Sequence, residues 1–460
     1  MTVLGPQLET LRRLQTQEIS GTVVAAKGLG VYVDDLPLPV GALVRLELGR
    51  GTSRVIRGEV VGFDGPRSIV MLFGSNSGIA PGIRVHGEQS AQTVAISRSF
   101  LGRVINGLGR PIDGKGMPSD CVARPLDPPP TCALHRRRID QVLPTGLRVV
   151  DTMLTVGKGQ RVGIFSGPGI GKSTLISMIA RNSSADVNVL ALVGERGREV
   201  REFIEQSLGP EGLAKSVVVV ATGDESPLLR VRAALVASTV AEFFREQGDD
   251  VLLVMDSLTR LAQAQRQVGL TVGEQPATKG YTPSVFAALP KLLERAGSIE
   301  GGGSITGFYA VLVEGDDLTE PISDAARGVL DGHVVLSRKM AARGHYPSVD
   351  MQDSISRVAD VVCDKHHNAA RKLIQKLLSA YTDAEELINI GAYAHGSNPD
   401  CDVAIAMKSK IDAMLQQGVN ETAEFPQSCR LLIELAAEAK VHYDRGSAGA
   451  STAANGGRRV

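Results

Sequence analysis

Apolar positions along this chain change their period three times. Leu4, Leu8, Leu11 and Leu14 recur every three or four residues with Arg12 and Arg13 between them, which predicts a short amphipathic helix over residues 1–18. Such a segment is either a frayed terminus or a docking helix. From 19 to 90 the pattern shortens to "GTVVAAKGLGVYV", "GALVRLEL", "VIRGEVVGF" and "SIVMLFG", punctuated by Gly and Pro. Short β-branched runs between turn residues predict a small all-β domain, a barrel. From 150 to 340, apolar strands ("RVGIFS", "VNVLALV", "SVVVVA", "VLLVMD", "ITGFYAVLV", "HVVLS") alternate with helical periodicity over 172–183, 227–246, 257–268 and 283–296. That alternation predicts a mainly parallel sheet covered on both faces, with ligands at the C-terminal ends of its strands. Residues 361–445 read as helices, and 446–460, small and polar, as a disordered tail.

Between barrel and sheet, residues 91–150 form a connecting region. "LGRVINGLGRPIDGKG" is turn-rich, "LDPPP" is stiff and extended, and "HRRRID" is a solvated or interface patch more than a nucleic-acid contact. Charge supports that reading. The 460 residues carry 50 Lys+Arg against 50 Asp+Glu, so the chain is not one whose main task is to coat nucleic acid. Trp is absent, which weakens any base-stacking or sugar-binding surface. The five cysteines are scattered without a Cys-x-x-Cys pair, as expected of reduced thiols in a cytosolic protein with no structural zinc. No run reaches the ~18 apolar residues of a membrane helix.

The candidate chemistry starts at "FSGPGIGKST", residues 165–174. Gly-Lys-Ser after a glycine-rich loop, between an apolar strand and a helix start, is the context a phosphate loop requires. Gly167, Pro168, Gly169, Ile170, Gly171, Lys172, Ser173 and Thr174 are therefore the nucleotide-binding candidates. Backbone N–H groups and the helix N-terminus favour phosphate, Lys172 reaches the β/γ-oxygens, and Ser173 can ligate Mg²⁺. Ser166 stands where the general pattern has Gly. At a strand end with negative φ a small residue suffices.

Downstream, "VLLVMDS" ends an apolar strand on Asp256, which is either a helix cap or, with a phosphate loop upstream, the holder of a magnesium-bound water. "ALVGERGREV" presents Glu195 to orient the attacking water and Arg196 to sense the γ-phosphate, unless it is a solvated charged loop. In "GHYPSVDMQDSISRVAD", Tyr346 can stack on adenine, and Arg357 is either a surface ion-pair partner or an arginine finger for a neighbour's site.

In this order, the loop, "GERGREV", "MDSLTR", "GEQPATKGYTPSVFAALPKLLERAG", "EGDDLTEPISDAARGVLDGHVVLSR" and "YPSVDMQDSISR" closely resemble the type III protein-export ATPases, relatives of F- and V-type ATP synthase catalytic subunits. The likeness spans roughly residues 20–440, and "INIGAYAHGSNPDCDVAIA" leans towards the flagellar kind. It implies an α/β fold: a small N-terminal β-barrel (19–90), a RecA-type parallel-sheet nucleotide domain (91–360) and a C-terminal helical domain (361–445). It also implies ATP and Mg²⁺, with Lys172, Glu195, Arg196 and Arg357 catalytic, Ser173 and Asp256 at the metal, and Tyr346 at the base. Further implied are a homohexamer, a stator or regulator at the N-terminal segment, a coiled-coil stalk protein in the ring centre, membrane export-gate proteins, and secreted substrates with their chaperones. No specific nucleic acid is implied, and the setting is cytoplasmic, peripheral to the inner membrane. A rotary ATP synthase subunit, a non-catalytic nucleotide-binding scaffold and, more distantly, a ring-shaped RNA translocase are the competing readings. Ser166 departs only from the general loop pattern, since these export ATPases also tend to carry a small non-Gly residue there, while two residues depart from the family's own pattern: Gln275 where a second Pro is usual, and Leu261 where Phe is usual.

Overall fold

A computed structural model describes residues 18–48, 54–89, 92–313, 315 and 317–456. The predicted N-terminal helix thus lies almost wholly outside the described residues. Strands β1 (Ser20–Lys27), β2 (Gly30–Asp34), β3 (Leu43–Leu48), β4 (Arg54–Asp64), β5 (Arg67–Leu72) and β6 (Arg84–Gln89) close into an antiparallel barrel in the order β1-β2-β5-β4-β3-β6. Alternate residues fill its interior: Val31 and Val33, Val44 and Leu46, Val70 and Leu72 are all buried. Register shifts on β1 at Val23–Ala25 and on β4 at Val60–Gly62 supply the bends that closure requires.

A short ribbon, β7 (Thr93–Ile96) with β9 (Val122–Pro125), leads into the central sheet. Its strands are β8 (Arg103–Asn106), β10 (Arg161–Ser166), β11 (Val187–Val193), β12 (Ser216–Ala221), β13 (Asp250–Asp256), β14 (Gly297–Ser298), β15 (Ser304–Leu312), β16 (Gly332–Leu336) and β17 (Val349–Ser356). The order is β17-β16-β10-β15-β13-β11-β12-β8, with β14 beside β15. All pairings are parallel except those of β14 and β17.

The helices used below are α1 (Lys172–Asn182), α2 (Gly197–Glu202), α3 (Pro227–Glu246), α4 (Leu258–Thr271), α5 (Pro283–Leu293), α6 (Lys365–Asn389), α7 (Pro399–Leu415) and α8 (Phe425–Gly456). Along β11, Leu190 and Leu192 enter one core with α1 and the C-terminal helices, while Val189, Ala191 and Val193 enter a second with α3, α4 and α5. Both faces are buried, so the strands are continuously apolar in sequence. The last helix runs to Gly456, through most of the stretch whose composition predicts disorder.

The C-terminal helices are seated on the nucleotide domain by Gln417. Its amide accepts from the Arg148 N–H at 2.8 Å and donates to the Gly146 carbonyl at 2.8 Å. Both ends of this buried amide are therefore satisfied, which makes it a specific anchor.

Leu261 faces a crevice of about 40 Å³ among α3, α4 and α5, walled by Leu235, Val285 and Leu289. A missing aromatic ring leaves a space of this kind. Filling it in the Leu261→Phe variant should raise the unfolding free energy by about 1 kcal/mol, read by urea denaturation. A fall instead would show that the helices cannot admit the ring.

Candidate active site

Three parallel strands end at one edge of the sheet and deliver the chemistry. β10 stops at Ser166, β11 leads through Gly194 to Glu195, and β13 ends on Asp256, which is in register with Leu192. The loop after β10 turns through Gly169 (φ 77°) and Gly171 (φ 99°), left-handed values that favour glycine. α1 starts immediately after, at Lys172, so Ser173 and Thr174 lie in its first turn beside the loop. Ser166 is buried and its hydroxyl has no hydrogen-bond partner, as suits a strand end needing only a small residue.

Lys172 is the centre of a charge group. Its Nζ pairs with Asp256 Oδ1 and lies 3.7 Å from Glu195 Oε1. Asp256 is therefore not the helix cap. That role belongs to Ser257, whose hydroxyl accepts from the Arg260 N–H.

The cap sets the direction of Arg260. Its Nη1 donates to the Gly194 carbonyl at 2.7 Å, and its Nε lies 3.3 Å from Glu195 Oε1. Burial pushes the Glu195 carboxyl above the usual range. Lys172 and Arg260 oppose that shift and Asp256 adds to it. Glu195 Oε1 is buried and accepts no hydrogen bond, so beside its two ion pairs it has an acceptor site to spare. It borders a cavity of about 260 Å³ with Ser173, Thr174, Glu199, Phe203 and Asp256.

Arg196 does not join this group. It is exposed, stands at the residue before α2 without a side-chain capping bond, and pairs with Glu199 at 3.3 Å. The guanidinium beside Glu195 is that of Arg260, which the sequence places sixty-odd residues away in "MDSLTR", a motif whose arginine had no assigned role.

On the other side of the loop, Tyr346 packs its ring over Gly171, 3.8 Å from where a Cβ would stand. Together with Thr174, Leu175, Met178, Leu336 and Val419 it borders a second cavity of about 330 Å³. Thr174 borders both cavities. The first is walled largely by carboxylates and hydroxyls, the second largely by apolar side chains and the Tyr346 ring. Val419 and Gln417 come from the C-terminal segment and were not legible as site residues.

Arg357 is exposed and far from this edge. β17 runs antiparallel to β16 with Ser356 opposite Gly332, so Arg357 sits at the opposite edge of the sheet. Its N–H donates to the Asp331 carbonyl at 3.0 Å.

Residues 146–356 match the family model of the ATP synthase alpha/beta family nucleotide-binding domain, and 363–434 that of the T3SS EscN ATPase C-terminal domain. The flagellum-specific ATP synthase of Salmonella typhimurium is 48% identical over 421 residues, covering 90% of this chain and 92% of its own. The chain belongs to the flagellar and type III secretion ATPase family. The type 3 secretion system ATPase of Xanthomonas euvesicatoria, another relative, is 43% identical over 439 residues, 94% of this chain and 99% of its own. Among solved structures, the assembled ATPase EscN of enteropathogenic E. coli superposes with a TM-score of 0.84 at 39% identity, covering 90% of this chain and all of that one. As a member of this family the chain is a P-loop ATPase, and no helix among its described residues is long and apolar enough to cross a membrane.

The Tyr346 ring should contribute to base affinity alone. Tyr346→Ala is expected to raise KM for ATP by about tenfold, the scale of one stacked base, with kcat little changed. Tyr346→Phe should resemble the wild type in the same steady-state assay.

Proposed function

We propose that this chain hydrolyses ATP at the interfaces of a homohexameric ring and thereby drives protein export through a type III apparatus of the flagellar kind. The observation that carries the reading is Lys172 held between Asp256 and Glu195 at the mouth of the phosphate loop. In hydrolysis Lys172 turns to the β/γ-phosphate oxygens, and the loop N–H groups and α1 N-terminus hold the remaining charge. Glu195, its Oε1 free to accept, aligns a water with the γ-phosphate and takes its proton. Arg260 keeps that carboxylate in place.

Ser173 and Asp256 fit Mg²⁺, a cation that takes one or two protein oxygens and completes its shell with phosphates and water. When bound it neutralises phosphate charge. Arg357 serves the site of the next copy, where a guanidinium offsets charge developing in phosphoryl transfer.

The flagellar lean rests on residues 388–406 and on the flagellum-specific relative named above. EscN has been solved in complex with its central stalk EscO. By analogy a coiled-coil stalk sits in this ring's centre, near the loop after α4. Cytoplasmic work at the inner membrane, with a stator at the N-terminal segment, export-gate proteins, chaperones and substrates, belongs to the same reading.

Glu195→Gln should bind ATP with near-normal affinity and lose at least about a hundredfold in kcat. Normal turnover would sink the assignment. Arg357→Ala and Lys172→Ala should each be nearly inactive alone. Mixed, they should regain activity, because a ring containing both places an intact Arg357 beside an intact Lys172. No recovery on mixing would argue that Arg357 does not act across the interface.

A further inference from the structure

A further hollow lies among α3, α4 and α5, on the face of the sheet away from Tyr346 and the C-terminal helices. The proline run 128–130 walls a cavity of about 310 Å³, whose other side is Val231 and Leu235 of α3 and Ala288 and Leu292 of α5. The crevice of about 40 Å³ beside Leu261 shares those four side chains and Gln265 with it. The two therefore form one hollow: a wide outer part, and a narrow inner end closed by the buried side chains of Leu261, Val285 and Leu289. The outer part alone reaches the size at which small-molecule sites begin, about 300 Å³. Three successive prolines have their φ angles fixed before folding, so this wall stands without a ligand to order it.

We propose that this hollow is a binding site for a small uncharged aromatic molecule carrying one N–H or O–H group. Its charges define the class first. Six charged side chains border the outer part, and they pair off: Lys291 with Asp127 at 2.7 Å, Arg295 with Glu242 at 2.8 Å, and Arg136 with Glu294 at 3.5 Å. No charge is left unmatched, so an ionic ligand would surrender its hydration without return. Shape comes second. The aliphatic walls narrow inward, and a flat ring enters such a slot with its apolar faces covered. The polar group is set by Gln265, which borders both parts. Its amide nitrogen faces Ser284 Oγ at 3.4 Å, which leaves the carbonyl oxygen to accept from the ligand.

The site touches the catalytic apparatus through one helix. Leu261 and Gln265 are both on α4, and Leu261 adjoins Arg260, whose guanidinium meets Glu195. An occupant of the inner end packs directly against the turn of α4 that aims Arg260.

Indole is a suitable probe, because the full chain contains no Trp and the probe's emission is read without background from that residue. Its emission should shift to the blue and saturate with a Kd on the order of 1 mM, the scale of a ligand of about ten heavy atoms. The Kd should be the same with and without saturating Mg-ADP. Benzoate, a charged ring of similar size, should compete at least about tenfold more weakly than phenol. Leu261→Phe fills the inner end and Ala288→Leu narrows the passage to it, and each should weaken indole binding at least about tenfold. A signal that grows without saturating overturns the proposal, as does an unchanged Kd in both variants. Displacement of indole by Mg-ADP also overturns it, since that places the probe in the cavity beside Tyr346. If Leu261→Phe does not fold, Ala288→Leu decides alone.

Discussion

One cation held between two carboxylates organises the nucleotide domain. Lys172 is largely buried, and a buried ammonium is tolerable only when paired. Lys172 itself comes from the strand-loop-helix of β10 and α1, and its two partners come from the strand ends of β11 and β13. Parallel pairing brings these ends to one edge, because parallel strands all terminate on the same side. β15 lies between β10 and β13 and bonds to both, fixing the spacing that lets Lys172 reach Asp256. Thr259 reinforces it by exchanging hydrogen bonds with the Leu312 backbone at 2.9 and 3.2 Å, which ties the start of α4 to the end of β15.

The rest of the molecule is arranged around that edge according to which face of the sheet it covers. The C-terminal helices share a core with α1 and bring Gln417 and Val419 beside Tyr346. Gln417 spends its side chain on the backbones of residues 146, 148 and 421, and its N–H donates to the Tyr346 carbonyl at 3.0 Å. A shift of the C-terminal segment would therefore be felt directly at Tyr346. On the opposite face α3, α4 and α5 carry the connection to the barrel. Arg260 near the start of α4 touches Glu195, while Val272, just past its end, lies against Gly62 of the barrel. One helix thus spans the distance from the reacting group to the neighbouring domain.

Much of this was legible in the sequence, for definite physical reasons. Strands buried on both faces are apolar at every position, so β10, β11 and β12 were read to the residue and β13, β15 and β16 to within one. β8 was not, because "RVIN" is four residues inside a turn-rich stretch and owes its place to a parallel ladder with β12. β17 was not read as a strand either, since "VDMQDSIS" is half polar, as befits an outermost strand. The phosphate loop was legible because its glycines are demanded by backbone shape. The guanidinium partner of Glu195 was not. Arg196 is adjacent in sequence, yet as the residue entering α2 it is turned to solvent, whereas Arg260 is aimed inward by a serine cap. Adjacency along the chain is a weak guide where a strand end turns into a helix, since each step of about 100° there redirects the side chain.

The position of Arg357 bears on whether one chain is a complete catalyst. β17 crosses the sheet edge antiparallel to its neighbour, so Val349 lies beside Leu336 near the catalytic edge and Ser356 beside Gly332 at the far one. The ladder from Gly332 to Leu336 is four steps of about 3.3 Å, so Arg357, one residue beyond it, lies more than about 13 Å from the edge where Lys172 sits. No rotamer of an arginine covers that distance. A guanidinium so placed, exposed and flanked by exposed Ile355 and Val361, is out of reach of its own chain's phosphate loop and, on the function proposed here, completes a site on another copy. The two surfaces involved, finger and phosphate loop, are different parts of the chain, so the contact is head-to-tail. Such a contact closes into a ring when its rotation permits and otherwise runs on as a filament. On this reading the separation of Lys172 from Arg357 along β17 makes assembly a condition of full catalytic competence.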